Sequence, residues 1–343
     1  MIPRQRLDDG YDISRIIKGG WHLAGDHGAI DRAQALADMA AFVEAGITTF
    51  DCADIYTGVE QMIGDFRRAY PDHAELIQIH TKFVPDLADL PRVDERYVAR
   101  IIDRSLQRLG VDRIDLVQFH WWDYATPRYI EVALELDRQR RAGKIARLGA
   151  TNFDVAHLAE IVEAGVPIAT HQVQYSLLDR RPQNGMVDYC QGQGIALLCY
   201  GTVAGGFLSE RWLGQPEPAG PLTNRSLVKY KLIIDDFGGW DAFQSLLRAL
   251  SRIAAKHGVD IASIATAAIL NRPCVAAAIV GATNTGHLAS HAQIGGLTLD
   301  PADVQALDDA TRETTGPLGD VYALERDRHG PHGRIMKYEL NKV

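Results

Sequence analysis

Cysteine is scarce in this chain. Cys52, Cys190, Cys199 and Cys274 are the only four in 343 residues, with no Cys-x-x-Cys pair, and the pair His329 and His332 has nothing nearby in the sequence to complete a ligand set. That pattern excludes a disulfide-framed small domain and offers no zinc signature, so the thiols read as buried and reduced and no metal is expected. Long apolar runs are missing as well. The opening MIPRQRLDDGYDISRII has nothing of the length that a signal peptide or a membrane span needs, which predicts a cytoplasmic protein without a membrane partner. Positive charge is not in excess either. The 36 Lys and Arg face 44 Asp and Glu, and a net charge of −8 repels phosphate backbones, which argues against nucleic-acid partners. No G-x-G-x-x-G follows the first expected strand, and this argues against a doubly wound dinucleotide-binding sheet.

What the chain does contain is a repeated alternation. Short, nearly charge-free strands are expected over 13–18, from 48, and over 75–83, 114–120, 146–151, 168–174, 195–200 and 275–281. Helical spacing lies between them, as where Leu36, Met39, Ala40 and Val43 form one stripe that Gly46 ends. Strands alternating with helices imply parallel pairing, and a lack of charge implies burial on both faces. Eight such units predict an α/β fold, a single (β/α)8 TIM barrel domain over 1–343, with a core of about 12–312. Beyond the repeat stand a long excursion at 201–239, expected as a rim loop, an added helix at 300–311, and a C-terminal tail at 313–343.

Barrel enzymes carry their chemistry at the carboxyl ends of the strands. Those ends are Trp21, Asp51, Lys82, His120, Thr151 with Asn152, Gln172, Tyr200 and Gly281, and Tyr56 joins from the stretch FDCADIYTGVEQMIG. Four ionisable groups then face one cavity. Singly, each has a plain structural reading, because Asp and Tyr are common in turns and a lone Lys–Asp pair usually serves stability.

The stretches FDCADIY, HTKF, RSLQRLGVDRIDLVQFH, GKIARLGATNF, HQVQYSLLDR, CYGTVAGGFL and IVGATN, in that order over roughly 12–312, resemble the aldo-keto reductase family. The branch is the one with an AGG loop, related in fold to potassium-channel β subunits. The resemblance implies a catalytic tetrad of Asp51, Tyr56, Lys82 and His120. Tyr56 would give a proton to a carbonyl oxygen as hydride reaches the carbon, acidified by Lys82, which Asp51 holds charged. His120 would donate to the same oxygen. The cofactor implied is NADP(H), with NAD(H) possible, on Gly20, Trp21, Asp51, Thr151, Asn152, Gln172, Tyr200, Gly201, Val203, Gly205, Gly281, Thr283, Asn284, His287 and His291. Trp21, Tyr56, His120 and Trp121 would wall a small carbonyl or alcohol substrate, with Trp122 a further candidate because it too follows the fourth strand, and a homo-oligomer is possible.

Two alternatives belong to other classes: a cofactor-binding regulatory protein with little turnover, and a lyase using a Lys82 Schiff base, which Asp51 opposes. The chain also departs from the family pattern. Gly201, Thr202 and Val203 stand where a proline is usual, which predicts a more mobile loop. No Lys or Arg lies in 281–291, so a small preference between NADP(H) and NAD(H) is expected, shifting toward NADP(H) as His287 or His291 protonates below about pH 6.5. The tail, with Arg326, Arg328, His329, His332, Arg334 and Lys337, reads either as a lid for an anionic substrate or as a solvated terminus. His22, His27, His171 and His257 are assigned structural or solvated places.

Overall fold

A computed structural model describes residues 2–24, 30–222, 224–281 and 284–341. An antiparallel hairpin comes first, β1 (Arg4–Asp8) and β2 (Tyr11–Ser14). Eight parallel strands follow: β3 (Ile16–Gly19), β4 (Thr49–Asp51), β5 (Gln78–Phe83), β6 (Ile114–Phe119), β7 (Ile145–Thr151), β8 (Ile168–Gln174), β9 (Ala196–Tyr200) and β10 (Val275–Gly281). They close in the order β10-β3-β4-β5-β6-β7-β8-β9, as the alternation predicts. Tyr11 and Ile13 of the hairpin pack on Ile17, Leu116, Leu198 and Ala277, sealing the amino-terminal end of the barrel with apolar side chains.

The expected strand over 13–18 divides in two. Ser14 Oγ donates to Ile16 O at 2.7 Å, and the Arg15 guanidinium reaches Leu270 O at 2.6 Å, so the chain bends out of the hairpin and re-enters as β3. Helices α1 (Arg32–Glu44), α2 (Val59–Ala69), α3 (Pro71–Ala74), α4 (Glu95–Leu109), α5 (Tyr129–Arg141), α6 (Val155–Glu163) and α7 (Met186–Gln193) come between the strands. Their ends follow local chemistry. In α4, Asp94 accepts from Tyr97 N at 2.8 Å and Gly110 closes the last turn in the left-handed region.

The excursion at 201–239 is not only loop. It contains α8 (Arg225–Phe237), whose buried Tyr230, Ile233, Ile234 and Phe237 recur at helical spacing. Helices α9 (Gly239–His257), α10 (Ile261–Leu270), α11 (Leu288–Ile294) and α12 (Pro301–Thr311) complete the outer layer. The tail carries two short helices, α13 (Ala323–Arg326) and α14 (Pro331–Arg334). No single helix among the described residues is long and apolar enough to cross a membrane.

Tail residues do not lie in solvent as a free terminus would. Asp86, just past β5, accepts from the amides of Leu340 and Asn341 at 3.0 and 2.9 Å, and Tyr338 O accepts from Leu87 N at 3.0 Å. The chain's end is thereby tied beside the carboxyl-terminal mouth of the barrel.

Candidate active site

Asp51 ends β4, a three-residue strand buried throughout. Its Oδ2 accepts from Lys82 Nζ at 2.7 Å, while Oδ1 accepts from Gln172 Nε2 at 2.7 Å and Gln118 Nε2 at 3.1 Å. Lys82 Nζ also donates to Cys52 O at 2.8 Å. A buried ion pair is tolerable when hydrogen bonds satisfy what the pair leaves over, and the two amides and the carbonyl do so here. Burial works against the Lys82 charge, but Asp51 and then Tyr56 outweigh it and hold the ammonium's pKa above its ordinary value.

Tyr56 stands over this pair. The Lys82 ammonium is 4.9 Å from its ring centroid, and the Trp21 ring meets it edge-on at 5.0 Å. Burial pushes the phenol's pKa up, and Lys82 opposes that rise without reversing it. Burial is the larger of the two effects, so the phenol stays protonated near neutral pH. A phenol kept protonated is a proton donor.

His120 is buried, with Nδ1 at 3.1 Å from Thr151 O. A carbonyl only accepts, so Nδ1 carries the proton. Burial, with Arg326 adding to it, brings the imidazole's pKa down to about 3. The ring is therefore neutral, and its partnerless Nε2 is an acceptor.

These groups line a cleft of about 260 Å³ at the carboxyl ends of the strands. Ile55, Val84, Trp122, Tyr322, Ile335, Met336 and Leu340 are among its apolar lining, and Thr151, Asn152, Gln172 and Tyr200 supply polar groups. Asn152 sits in the left-handed region at φ 61°, and its Oδ1 accepts from Tyr200 OH at 2.9 Å. Gly201 and Gly205 also line it, with φ of 76° and 63°, and a Cβ at either would fall 2.3 and 2.7 Å from Tyr230. Only glycine fits there. At the start of α8 come Arg225, 5.3 Å from the Trp21 ring, and Lys229, 5.0 Å from the Tyr200 ring. With Lys337 they give the lining three cations besides Lys82, against one carboxylate that is already paired. The cleft suits an anionic ligand.

The sequence pattern of the Aldo/keto reductase family matches residues 15–312. The chain belongs to this family. It is 27% identical over 330 residues to the aldo-keto reductase YhdN of Bacillus subtilis (strain 168), covering 91% of this chain and 94% of that one. It is 25% identical over 312 residues to the NADH-specific methylglyoxal reductase of Escherichia coli (strain K12), covering 85% and 92%. The crystal structure of the thermostable aldo-keto reductase Tm1743 with the inhibitor epalrestat shares the fold, at a TM-score of 0.72 and 24% identity, covering 90% of this chain and all of that one. As an aldo-keto reductase the protein is an oxidoreductase of carbonyls and alcohols.

Not every residue expected at the aldo-keto reductase site reaches the cleft. Trp121 is fully buried behind it, donating Nε1 to Thr126 O at 2.9 Å, and Trp122 is the wall instead, its ring 4.3 Å from His120. Gly20 is a spacer: its amide donates to Asp51 O at 2.7 Å, and a Cβ would strike that oxygen. Asn284 and His287 are exposed and outside the lining, and Asn284 Oδ1 accepts from Gly286 N at 2.9 Å. His291 is buried against Phe42, and burial with help from His287 brings it down to about 4, which removes it from any titration near pH 6.5. Thr283 and His27 lie outside the described residues. His22 was assigned elsewhere but lines the cleft, its ring filling the place where Gly281 lacks a side chain.

Sequence reasoning missed Gln118 and Tyr322 and the roles of Arg225 and Lys229, and it named Arg326 only as part of a lid for an anionic substrate or of a solvated terminus. Gln118 had a signal, being a polar residue two before His120 in an otherwise apolar strand end. Arg225 and Lys229 had one too, in the helical spacing of the residues that follow. Tyr322 and Arg326 had no local signal.

Proposed function

We propose that this aldo-keto reductase reduces small aldehydes or ketones, α-hydroxy carbonyls among them, with NADPH or NADH, and that Tyr56 is the proton donor. The observation carrying this reading is the Asp51–Lys82 pair beneath the Tyr56 phenol at the floor of a cationic cleft. The residues present fit a reduced nicotinamide dinucleotide: the Asn152 and Gln172 amides suit a carboxamide, and Arg225, Lys229 and the amides opening α8 suit a pyrophosphate. When bound, that cofactor supplies the hydride to the carbonyl carbon.

Tyr56 passes its proton to the carbonyl oxygen as negative charge develops there, and Lys82 stabilises the phenolate left behind. Asp51, held by Gln118 and Gln172, fixes the ammonium's place. The neutral His120 offers Nε2 as an acceptor, which suits the hydroxyl of the alcohol product or an α-hydroxyl beside the carbonyl. The name of the E. coli relative, a reductase of methylglyoxal specific for NADH, supports a small carbonyl and makes NADH admissible.

The test is loss of nicotinamide absorbance when the full chain is given NADPH or NADH with methylglyoxal, glycolaldehyde or propanal. Turnover is expected with both cofactors. Glycolaldehyde should exceed propanal in kcat/KM by roughly tenfold or more, because a site built to accept from a hydroxyl discriminates against its absence. No consumption with any carbonyl overturns the reading.

A further inference from the structure

Arg326 lies beyond the 15–312 segment that the family pattern covers, yet it reaches the backbone of the active site. Its Nη1 donates to Trp121 O and, at 2.8 Å, to Trp122 O. Its Nη2 donates at 2.7 Å to both Asn152 O and Tyr124 OH, and the guanidinium lies 3.9 Å from the Tyr124 ring centroid. None of these four partners is a carboxylate. A surface ion pair would account for an arginine with an acidic neighbour, whereas this fork is spent on neutral oxygens of two loops.

Both loops carry the site. The first follows His120 directly and holds Trp122 against the imidazole; the second is Asn152 itself, held in the left-handed region and receiving the Tyr200 hydroxyl on its side chain. Non-glycine residues in that region carry strain that their surroundings must hold. Arg326 is in turn well anchored. The preceding Glu325 is buried and forked by Arg181 at 2.8 and 3.0 Å, and Arg181 also grips Asp179 at 2.7 and 3.0 Å. Burial pushes the Glu325 carboxyl up, but Arg181 outweighs it and brings the pKa to about 2.

We propose that Arg326 is a positioning residue of the active site, clamping the loop after His120 to the turn at Asn152 so that the substrate side and the cofactor side of the cleft keep one separation. The inference rests on the reductase reading above. Lysine keeps the charge but cannot bridge the same acceptors with a planar fork. A displacement on the order of 1 Å can cost about a hundredfold in rate, so Arg326→Lys is expected to lower kcat by roughly ten- to a hundredfold. The primary isotope effect on kcat with 4-deuterated NADPH should rise as hydride transfer becomes rate-limiting.

The experiment measures kcat, KM and that isotope effect for the wild-type chain, Arg326→Lys and Arg326→Ala, each normalised to folded protein by circular dichroism and thermal melting. Millimolar guanidinium is added to Arg326→Ala. Lowered kcat with a raised isotope effect in Arg326→Lys, partly restored by guanidinium in Arg326→Ala, supports the proposal. If Arg326→Ala does not fold, the Arg326→Lys kinetics decide alone. A lowered melting temperature with unchanged kcat and isotope effect makes Arg326 a structural staple only and overturns the proposal while the reductase reading stands. A wild-type chain that neither binds nor oxidises reduced nicotinamide overturns both.

Discussion

Tyr56 is subject to two opposed effects, burial raising its pKa and Lys82 lowering it, and burial is the larger. The phenol is therefore protonated at neutral pH, as the proposed role of proton donor requires. Removing the hydroxyl alone isolates that role. Tyr56→Phe is expected to lower kcat at least a hundredfold, about 2.7 kcal/mol of transition-state stabilisation, while the dissociation constant of the reduced cofactor stays within about twofold. Single-turnover oxidation of bound cofactor measures the first quantity and fluorescence titration the second. Near-normal turnover would remove Tyr56 from the chemistry and leave the Asp51–Lys82 pair as a structural feature of the barrel.

At the scale of elements, the proposed binding of an anionic cofactor bears on α8 and on the chain from the end of β10 into α11. The opening of α8 brings Arg225 and Lys229 to the cleft, and their charge does not distinguish NADPH from NADH if it is spent on the pyrophosphate common to both. The 2′-phosphate needs cations of its own, preferably an arginine fork. From the end of β10 into α11 the only basic side chains in the sequence are His287 and, inside α11, His291, and His291 is held at about 4 by burial. His291→Asn is therefore expected to leave the ratio of NADPH to NADH dissociation constants unchanged at about pH 6 as at about pH 8. Calorimetric titration of both cofactors checks this, and a preference that disappears with the variant only at the lower pH would mean that His291 turns outward and charges.

Over the whole molecule, burial of imidazoles sets the response to acid. His80, His120 and His171 are brought down to about 3, and His291 to about 4, in each case chiefly by burial. An unfolded chain binds these four protons near pH 6.5. Because the folded pKa is depressed, the stability these groups contribute is fully present above about pH 6.5 and is lost as pH falls toward the folded values, at about 1.4 kcal/mol per pH unit for each. Asp54 and Asp115 work the other way, since burial raises their carboxyls, but they are two against four. The urea midpoint is expected to fall steadily from about pH 6.5 to about pH 5. A flat midpoint over that interval would show that these rings exchange protons in the folded chain.

The sequence by itself determined the barrel, since short charge-free strands alternating with helical stripes have few other ways to bury both faces of a sheet. It also determined where Asp51, Lys82, His120 and Gln172 stand, because strand ends are read from where the apolar run stops and a closed barrel brings those ends together. The choice between Trp121 and Trp122 was not legible, for the two follow β6 where strand alternation has ceased and only packing on Phe119 or on His120 separates them. Nor was the sign of the Tyr56 shift, which depends on depth of burial and not on spacing. The tail was decided by tertiary structure alone. Glu325 can be buried because Arg181 stands 144 residues earlier, and Arg326 finds its oxygens 174 to 205 residues away. A charged residue carries no local mark of a partner so distant, so a stretch that looks solvated becomes part of the cleft only once the barrel has closed.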